Sequence, residues 1–324
     1  MTLRFEYAAP RQRVFFGSGN AAADVSAEAG RLQSRRAMVI SSRRQSATTE
    51  AIIEGVQVAS RYHEVIEHVP AAAAEAARQA AASHKADLLV AIGGGSAIGL
   101  AKSIALTTGL PIVAVPTGYA GSEATNVWGV TEGPAGKTQK VTGVDDRVLP
   151  ESVIYDVDLT LSLPAALSVA SGLNALAHCI DSLWAPRAHP VNAALATEAI
   201  RLLAGGLPMV KDDPSGVGGR EQMLSGAYLA AAAFASAGAG MHHKICHVLG
   251  GRFNLPHAQT HAVILPHVTA FNLAAASGAE TRIAAALGSQ GPSMAWTACT
   301  RRLTRHGASP VSDFPRTRYP KPCL

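Results

Sequence analysis

Cysteine is scarce in this chain of 324 residues, and its spacing fits neither a metal centre nor a disulfide framework. Zinc-binding modules place cysteines in closely spaced pairs, and small secreted domains hold many cysteines that pair with one another. The four cysteines of this chain are Cys179, Cys246, Cys299 and Cys323. The sequence therefore predicts a protein of a reducing compartment, the cytoplasm.

Long apolar runs are also missing. A helix needs about 20 apolar residues to cross a bilayer, whereas the alanine-rich segment 71–82 is broken by Glu75, Arg78 and Gln79. The N-terminus carries charged residues without an apolar core, unlike a signal peptide. These absences predict a protein that does not associate with a membrane.

Positive charge is not spread over the chain. The formal net charge is +5, but residues 295–324 hold six Arg or Lys residues against one Asp, which accounts for the whole excess. Aromatic residues make up only 5% of the sequence, and no basic stripe is interleaved with them. Because nucleic-acid sites cluster cations on one face or along one groove, the sequence predicts no nucleic-acid partner.

The GxGxxG fingerprint of dinucleotide-binding proteins is absent, but a different glycine-rich turn follows an apolar run. Residues 88–92 have the character of a buried strand, which stops at Gly93, Gly94, Gly95 and Ser96 before a helical stretch. Such a turn directs backbone N–H groups and the positive end of a helix toward one point, which suits a phosphate. The alternative is an ordinary tight turn.

A second loop follows the next apolar run, residues 112–115. It is dense in small and hydroxyl-bearing residues between Pro116 and Thr125. Two such loops at the C-terminal ends of neighbouring parallel strands form the usual crevice for a nucleotide. The alternative is a surface turn with a helix N-cap at Ser122.

The organisation of the chain changes near residue 160. Before that point strand candidates alternate with helical patterns, and after it helical spacing continues almost without strands. The predicted strands are 37–40, 88–92, 112–115, 137–142 and 152–155, and the predicted helices are 49–60, 71–83, 97–106, 164–183, 190–203, 219–237, 241–249 and 274–287. We expect an α/β nucleotide-binding domain with a mostly parallel sheet (1–160), an all-α substrate domain (161–324), and an active site between them.

Several separated motifs, taken in their order, resemble the iron-containing alcohol dehydrogenase superfamily. They are Phe16–Gly19, Gly93–Ser96 with Lys102 behind it, Pro116–Glu123, and the histidine-rich segment Met241–Gly251. Within the superfamily the sequence is most similar to maleylacetate reductases, over roughly residues 4–288. The resemblance implies the dehydroquinate synthase-like architecture, an NAD(P)H-dependent oxidoreductase, a homodimer, and a small dicarboxylate as substrate.

The resemblance also implies the cofactor and its contacts. No acidic residue follows the strand at 37–40 to select the ribose 2′-hydroxyl of NAD, and Arg43 stands there instead, so NADH is expected with NADPH tolerated. A lysine at the position of Lys140 lies along the cofactor ribose in the family, although a solvated surface lysine is the alternative. The implied cofactor residues are Ser42, Gly93, Gly94, Gly95, Ser96, Lys102, Thr117, Gly118, Tyr119, Ser122, Thr125 and Lys140.

The chemistry is expected in the helical half. Asn174 and His178 are four residues apart on one helical face, and His243 and His257 follow 14 residues apart. In the metal-dependent members of the superfamily these four positions hold one Asp and three His that bind a divalent ion. A neutral amide is a weaker ligand than a carboxylate, although three histidines could still hold zinc with an open fourth position. Maleylacetate reductases typically carry this Asn and can work without a metal, so the resemblance implies that no metal is required.

Without a metal, these residues are expected to bind the carboxylates of maleylacetate in a cationic pocket. The implied substrate-binding residues are Asn174, His178, His242, Lys244 and His257. Hydride transfer to the C=C bond of maleylacetate leaves an enolate that must be protonated to give 3-oxoadipate, a step of aromatic compound degradation. We expect His243 to be the general acid and His247 a relay or second donor, since imidazole transfers protons near neutral pH.

Alternatives stay open at this point. The same scaffold hosts metal-dependent alcohol or glycerol dehydrogenases and cyclases of the dehydroquinate synthase type. A catalytically inactive nucleotide-binding remnant is a further alternative, because the end of the chain is unusual. The segment after about residue 288 is rich in proline and basic residues where the family continues with helices, which suggests a truncated or altered end; a natural divergent tail is the competing interpretation.

Overall fold

The computed structural model describes residues 4–133, 139–253 and 255–288. In the first half of the chain, six parallel strands form one sheet in the order β1-β8-β5-β4-β2-β3, and the antiparallel pair β6-β7 stands apart from it. The strands are β1 Arg13–Gly17, β2 Ala37–Ile40, β3 Val58–Tyr62, β4 Leu88–Gly93, β5 Ile112–Pro116, β6 Val127–Glu132, β7 Gln139–Val144 and β8 Ser152–Asp156. The helices of this half are α1 Ala21–Arg31, α2 Ser46–Ile52, α3 Ala71–Ser83 and α4 Gly95–Thr108. The expected α/β fold with a mostly parallel sheet is confirmed.

The topology of the sheet fixes where a ligand can bind. From β2 the chain passes outward to the edge strand β3, then crosses back to β4 on the other side of β2 and continues through β5 to β8. The strand order therefore reverses between β2 and β4. A crevice opens at such a point beside the carboxyl ends of the strands, which is where open α/β sheets bind nucleotides.

The central strands match the predicted ones because they are apolar throughout. In β2, β4 and β5 every residue is buried, so each strand stands out as a continuous hydrophobic run. The predicted helix 49–60 is wrong in its second part, since α2 ends at Ile52 and β3 begins at Val58. As an edge strand β3 is only half-buried, so it has no apolar run to mark it.

The second half consists of helices alone among its described residues. These are α5 Ala165–Ser182, α6 Pro190–Asp212, α7 Val217–Ala237, α8 Met241–Phe253, α9 His257–Leu273 and α10 Ser277–Ala286. The prediction ended α6 at residue 203, nine residues too early, because the pair Gly205-Gly206 and Pro208 resemble a helix end. Gly206 instead allows close approach to α7, since a Cβ there would lie 3.0 Å from the carbonyl oxygen of Gly219.

One helix qualifies the absence of long apolar segments. By length and apolar composition alone, α6 could cross a membrane. Helices α7 and α8, which are bent by 99° relative to each other, meet the same two criteria if they are counted as one span. Buried core helices also meet these criteria. In this structure α6 packs against α5, α7 and α10, and it carries the exposed ion pair Arg201–Glu198.

Some predictions fall outside the described residues. They concern the start of the strand predicted at 137–142, the cysteines Cys299 and Cys323, and the altered or truncated end after residue 288. For the remaining part of that strand, β7 begins at Gln139.

Candidate active site

The glycine-rich turn after β4 is built to leave a helix end open. Gly93 has a φ of +146°, which a side chain rarely tolerates, and Gly94 precedes the first residue of α4. A Cβ built on Gly94 would meet nothing within 4 Å. The free N–H groups of the first turn of α4 therefore face an accessible space, which suits the phosphates of a dinucleotide.

Three loops at the switch point are joined by hydrogen bonds. The Thr117 N–H donates to the Gly93 carbonyl at 3.1 Å, which joins the loops after β5 and β4. The amide of Gln45 donates to the Thr117 hydroxyl at 2.9 Å and accepts from the Ser42 hydroxyl at 3.2 Å. Ser42, Thr117 and the glycine turn thus lie together as the sequence predicts, while Gln45 was not anticipated.

Gly93→Ala is expected to weaken NADH binding about tenfold or more and to lower the free energy of unfolding by about 1–3 kcal/mol. The alanine would have to keep the unfavourable φ of Gly93, and its Cβ would lie 3.1 Å from both the Ala97 Cβ and the Gln45 Oε1. Fluorescence titration with NADH and urea denaturation measure the two effects. Gly30→Ala is the control, because its Cβ would meet nothing within 4 Å; equal NADH affinity in both variants would contradict the assignment.

Lys102 and Thr125 have a different role from the predicted one. The Lys102 ammonium is fully buried and donates to the Thr125 carbonyl at 2.7 Å, the Thr125 hydroxyl at 3.1 Å and the Val127 carbonyl at 2.9 Å. All three protons are used inside the protein. Burial lowers the pKa of Lys102 to about 7, an effect that the nearby Glu123 opposes. We conclude that Lys102 holds the second loop in place from behind rather than binding the cofactor directly.

Tyr119 is likewise an internal support. Its side chain is fully buried, and its hydroxyl accepts a hydrogen bond from Arg220 at 3.2 Å. The buried guanidinium of Arg220 also donates to the Ser168 hydroxyl and to the Leu163 and Pro214 carbonyls. The Tyr119 side chain therefore links the second loop to the helical half, and the cofactor contact of this residue stays a prediction. In the same loop Ser122 is the first residue of a short 3-10 turn, Ser122–Ala124, and not its N-cap.

Lys102→Met is expected to lower the free energy of unfolding by about 2–4 kcal/mol, because the two carbonyls lose their donor and the buried Glu123 loses its nearby cation. Urea denaturation followed by circular dichroism measures this. Lys244→Met, at an exposed position, is the matched control and should change the stability by less than about 0.5 kcal/mol. A Lys102 variant as stable as the control would show that the lysine does not support the loop.

The histidines form a packed cluster where the two halves meet. His178 on α5 stacks on His243 of α8, with ring centroids 4.8 Å apart, and both also pack on the Phe234 ring. The second nucleotide loop reaches this cluster at Gly121, where a Cβ would lie 3.6 Å from the His178 Cε1 and 2.7 Å from the Ala231 Cβ. The cofactor crevice and the histidines are therefore contiguous, as the sequence predicts.

His243 is held by a carboxylate that the sequence analysis did not single out. The fully buried Asp181 on α5 accepts a hydrogen bond from the His243 Nδ1 at 2.8 Å. It also accepts from the Gly240 N–H at 2.9 Å and from the Trp184 indole at 3.1 Å. With Nδ1 donating, the second ring nitrogen of His243 is buried and has no hydrogen-bond partner among the described residues.

Other buried polar atoms near His243 also have no hydrogen-bond partner among the described residues. Nδ1 of His178, Nδ1 of His242 and Nε2 of His261 belong to rings that pack on His243, and the amide oxygen of Asn174 lies one turn before His178 on α5. Buried polar atoms are almost always hydrogen-bonded, so unpartnered atoms of this kind point to a polar ligand at the histidine cluster. The substrate contacts of Asn174 and His178 stay a prediction.

Burial opposes the positive charge that the expected cationic pocket requires. It lowers the pKa of His178 to about 3 and the pKa of His242 and His247 to about 4. Burial and then the neighbouring histidines lower the pKa of His243 well below the ordinary value, and burial and then the charge of Lys140 do the same for His257. These shifts favour the neutral imidazoles, and a nearby anion would favour the charged forms.

His247 and His257 line a cavity next to the cluster. The cavity has a volume of about 200 Å³ and lies between the β6–β7 hairpin, the connection from β3 to α3, and helices α8 and α9. His247 and His257 stack with centroids 6.4 Å apart, and Lys140 of β7 lines the same cavity. Lys140 is therefore not a solvated surface lysine.

The structure treats two other predicted residues differently. His242 packs on His243, its Nε2 is hydrogen-bonded to the His261 Nδ1 at 2.9 Å with the Cys246 thiol at 3.6 Å, and its Nδ1 has no partner among the described residues. Lys244 is exposed and lines a separate open depression with Trp184, so α8 directs it away from His243. The predicted substrate contact of Lys244 has no geometric support.

The cluster as arranged does not fit a divalent metal. The rings of His178 and His243 are stacked at 15° to each other, so the lone pairs in their ring planes do not converge on one ion. Among the described residues, the group of three possible ligands within 4.8 Å of one another is His242, Cys246 and His261, and it contains none of the three histidine positions that bind metal in the metal-dependent members of the superfamily. In that group the two imidazoles already satisfy each other. Asn174 adds no charge to offset an ion.

Two family models match the chain. The model for iron-containing alcohol dehydrogenase matches residues 10–157, and the model for the C-terminal part of the Fe-containing alcohol dehydrogenase family matches residues 168–305. The chain belongs to the iron-containing alcohol dehydrogenase family. It is accordingly an oxidoreductase, and the family resemblance drawn from the sequence motifs is confirmed.

Curated relatives within this family carry a narrower name. Maleylacetate reductase 2 of Cupriavidus pinatubonensis is 47% identical over 282 residues, which is 86% of this chain and 77% of the relative. The maleylacetate reductase of Sphingobium indicum is 43% identical over 294 residues, covering 90% of this chain and 81% of the relative.

Solved structures agree on the fold. An iron-containing alcohol dehydrogenase from Corynebacterium glutamicum superposes with a TM-score of 0.90 at 53% identity, covering 94% of this chain and 84% of that one. The maleylacetate reductase from Agrobacterium tumefaciens gives a TM-score of 0.87 at 39% identity, covering 93% of this chain and 85% of that one.

Proposed function

We propose that this protein is a maleylacetate reductase, which uses NADH to reduce the C=C bond of maleylacetate to 3-oxoadipate. The observation that carries the proposal is the buried Asp181–His243 pair, whose free ring nitrogen lies where the nucleotide loops meet the helical half. The relatives at 47% and 43% identity support the choice of substrate. A route through the degradation of aromatic compounds follows from that substrate.

The reaction needs a hydride donor and one proton. NADH, held by the loops after β4 and β5, would supply a hydride to the carbon β to the ketone and leave as NAD⁺, while the electrons of the C=C bond would move to form an enolate. His243 then supplies a proton from Nε2 to the carbon α to the ketone, which gives 3-oxoadipate. Asp181 stabilises the imidazolium form that must exist before this transfer, and it keeps Nδ1 protonated throughout.

Neighbouring residues bind and orient the dianion. The unpartnered Nδ1 of His178 belongs to a ring that stacks on His243. Asn174 lies one turn before His178 on α5, and only its amide nitrogen can donate to a carboxylate, because the amide oxygen is an acceptor. A bound carboxylate raises the pKa of a neighbouring imidazole, since an opposite charge favours the charged form. Substrate binding thus favours the protonated form of His243. His247, with its ring centroid 6.3 Å from that of His243, is the second donor of this scheme.

The proposed mechanism uses no metal. The stacked rings of His178 and His243 and the neutral amide of Asn174 are unsuited to an ion. Hydrogen-bond donors of the protein therefore stabilise the negative charge on the enolate, as they stabilise oxyanions in other enzymes. The name of the family points the other way, so activity after removal of metals is the deciding property.

NADH is the proposed cofactor, with NADPH tolerated. Behind β2 no acidic residue selects the ribose 2′-hydroxyl directly, but Arg43 is held by the carboxylate of Glu64 at the surface. A 2′-phosphate would have to compete with that carboxylate for the guanidinium. We further propose a cytoplasmic homodimer, with the boundary of its nucleotide-binding domain near residue 160.

Deuterium transfer distinguishes this reaction from an alcohol dehydrogenase reaction. With NADH deuterated at the transferable position, a maleylacetate reductase places deuterium on the carbon β to the ketone and leaves the ketone intact. An alcohol dehydrogenase places it on the former carbonyl carbon and forms a hydroxyl group. Mass and NMR spectra of the product decide between the two, and NADH binding without any product would identify an inactive remnant.

A further inference from the structure

His68 occupies a strained turn that nothing in the nucleotide-binding role explains. In the connection from β3 to α3, His68 and Val69 have φ values of +63° and +49°. Positive φ is uncommon outside glycine and a genuine outlier for a β-branched residue. Two in succession persist only where the surroundings over-determine them, and such strain clusters at ligand sites.

Thr131 of β6 holds this turn in place. Its hydroxyl donates to the His68 carbonyl at 2.8 Å, and its N–H donates to the Val69 carbonyl at 3.0 Å. Pro70 forms a β-bridge with the same threonine. The backbone on both sides of the His68 ring is thus fixed, so the ring is held against the cavity that it lines.

The cavity brings basic side chains together from both halves of the chain. His68 and Lys140 come from the α/β half, and His247 and His257 come from α8 and α9. Lys140 is a cross-strand neighbour of Thr131 in the hairpin. The acidic group at this cavity is Glu67, which is 65% exposed and has an oxygen 3.7 Å from the His68 Nε2.

When no anion is present, each of the four basic side chains at this cavity makes a positive charge on the others less favourable. Burial lowers the pKa of His68, Lys140, His247 and His257, and the charge of Lys140 lowers the pKa of the three histidines further. Glu67 offsets only part of this. A carboxylate in the cavity would reverse the repulsion and receive hydrogen bonds from several donors at once.

We propose that His68 and Lys140 form the subsite for one carboxylate of the dicarboxylate substrate, while the second carboxylate lies toward Asn174 and His178. The assignment rests on the proposed function and extends it to residues of the α/β half. It predicts that the enzyme recognises two anionic ends of the substrate, with one end held by each half of the chain.

His68→Asn tests this subsite, because asparagine tolerates positive φ and removes the imidazole without straining the turn. Competitive inhibition by adipate, a six-carbon dicarboxylate, is compared with inhibition by hexanoate, which has one carboxylate. In the natural protein adipate should bind more tightly than hexanoate. In His68→Asn and Lys140→Met the advantage of adipate should fall about tenfold or more, as expected for a lost charge-assisted hydrogen bond.

The controls separate this inference from the proposed function. His84→Asn, at an exposed site on the end of α3, should keep the inhibition pattern of the natural protein. If the natural protein reduces maleylacetate but His68→Asn keeps the full advantage of adipate, the subsite is wrong while the function stands. If Lys140→Met raises the Kd for NADH more than the KM for maleylacetate, Lys140 belongs to the cofactor and the subsite is overturned for that residue.

Discussion

His243→Asn is expected to lower kcat for maleylacetate about 10²- to 10⁴-fold, the usual contribution of a general acid. Asparagine keeps an N–H that can donate to Asp181 but lacks the second ring nitrogen that faces the substrate. NADH binding should be unchanged within about twofold, because the phosphate loops are untouched. Stopped-flow measurement of single-turnover hydride transfer, with NADH bound first, isolates the chemical step.

His267→Asn is the matched control for this variant, since His267 lies exposed on α9. It should retain the natural kcat. A His243→Asn enzyme with kcat within about threefold of the control would show that the acid is another group, and His247 would then be the next residue to replace.

Asp181→Asn is expected to have the second largest effect, a loss of about 10²- to 10³-fold in kcat. The amide can still accept one hydrogen bond, but it cannot stabilise the His243 imidazolium by charge. Because Asp181 also accepts from the Gly240 N–H and the Trp184 indole, the free energy of unfolding should fall by about 1–3 kcal/mol.

Asp156→Asn is the control that distinguishes a catalytic role of Asp181 from a purely structural one. Asp156 is also buried, and it accepts from the Gly19 and Ala21 N–H groups in the α/β half. Both variants should lose stability, but only Asp181→Asn should lose turnover at temperatures where each remains folded. Equal losses of kcat in the two variants would remove Asp181 from the mechanism.

The fold could be predicted where burial is complete. Strands β2 and β4 are fully buried, so their apolar runs mark them in the sequence, and α3 was predicted with the bounds that the structure has. The edge strand β3 was missed because half-buried strands mix polar and apolar residues. The end of α6 was missed because glycines that serve helix packing resemble a helix stop.

The site residues were predicted from the order of the family's motifs along the chain more than from local sequence patterns. His178 and His243 were found because the motifs around them resemble the family, yet Asp181 had a local signal that was overlooked. It lies three residues after His178 and seven after Asn174, which places all three on one face of α5. His68 carried no such signal, because its position depends on a turn fixed by a distant strand.

Two differences in the site have a common physical basis, which is burial. Counting histidines and lysines suggested a cationic pocket, but burial lowers the pKa of the imidazoles. Lys102 has the look of a phosphate-binding lysine behind a glycine turn, yet its side chain points into the core and bonds to carbonyls. Neither burial nor side-chain direction can be read from residue identity alone.

The most direct test of the central claim follows the near-ultraviolet absorbance of NADH while maleylacetate is added to enzyme that has been treated with a strong chelator. The account predicts steady consumption of NADH with an equal amount of 3-oxoadipate formed, at a rate that added zinc or iron does not raise. A rate that vanishes on chelation and returns only with the metal would contradict the acid role given to His243 and Asp181. It would make the stacked histidines ligands that rearrange around an ion.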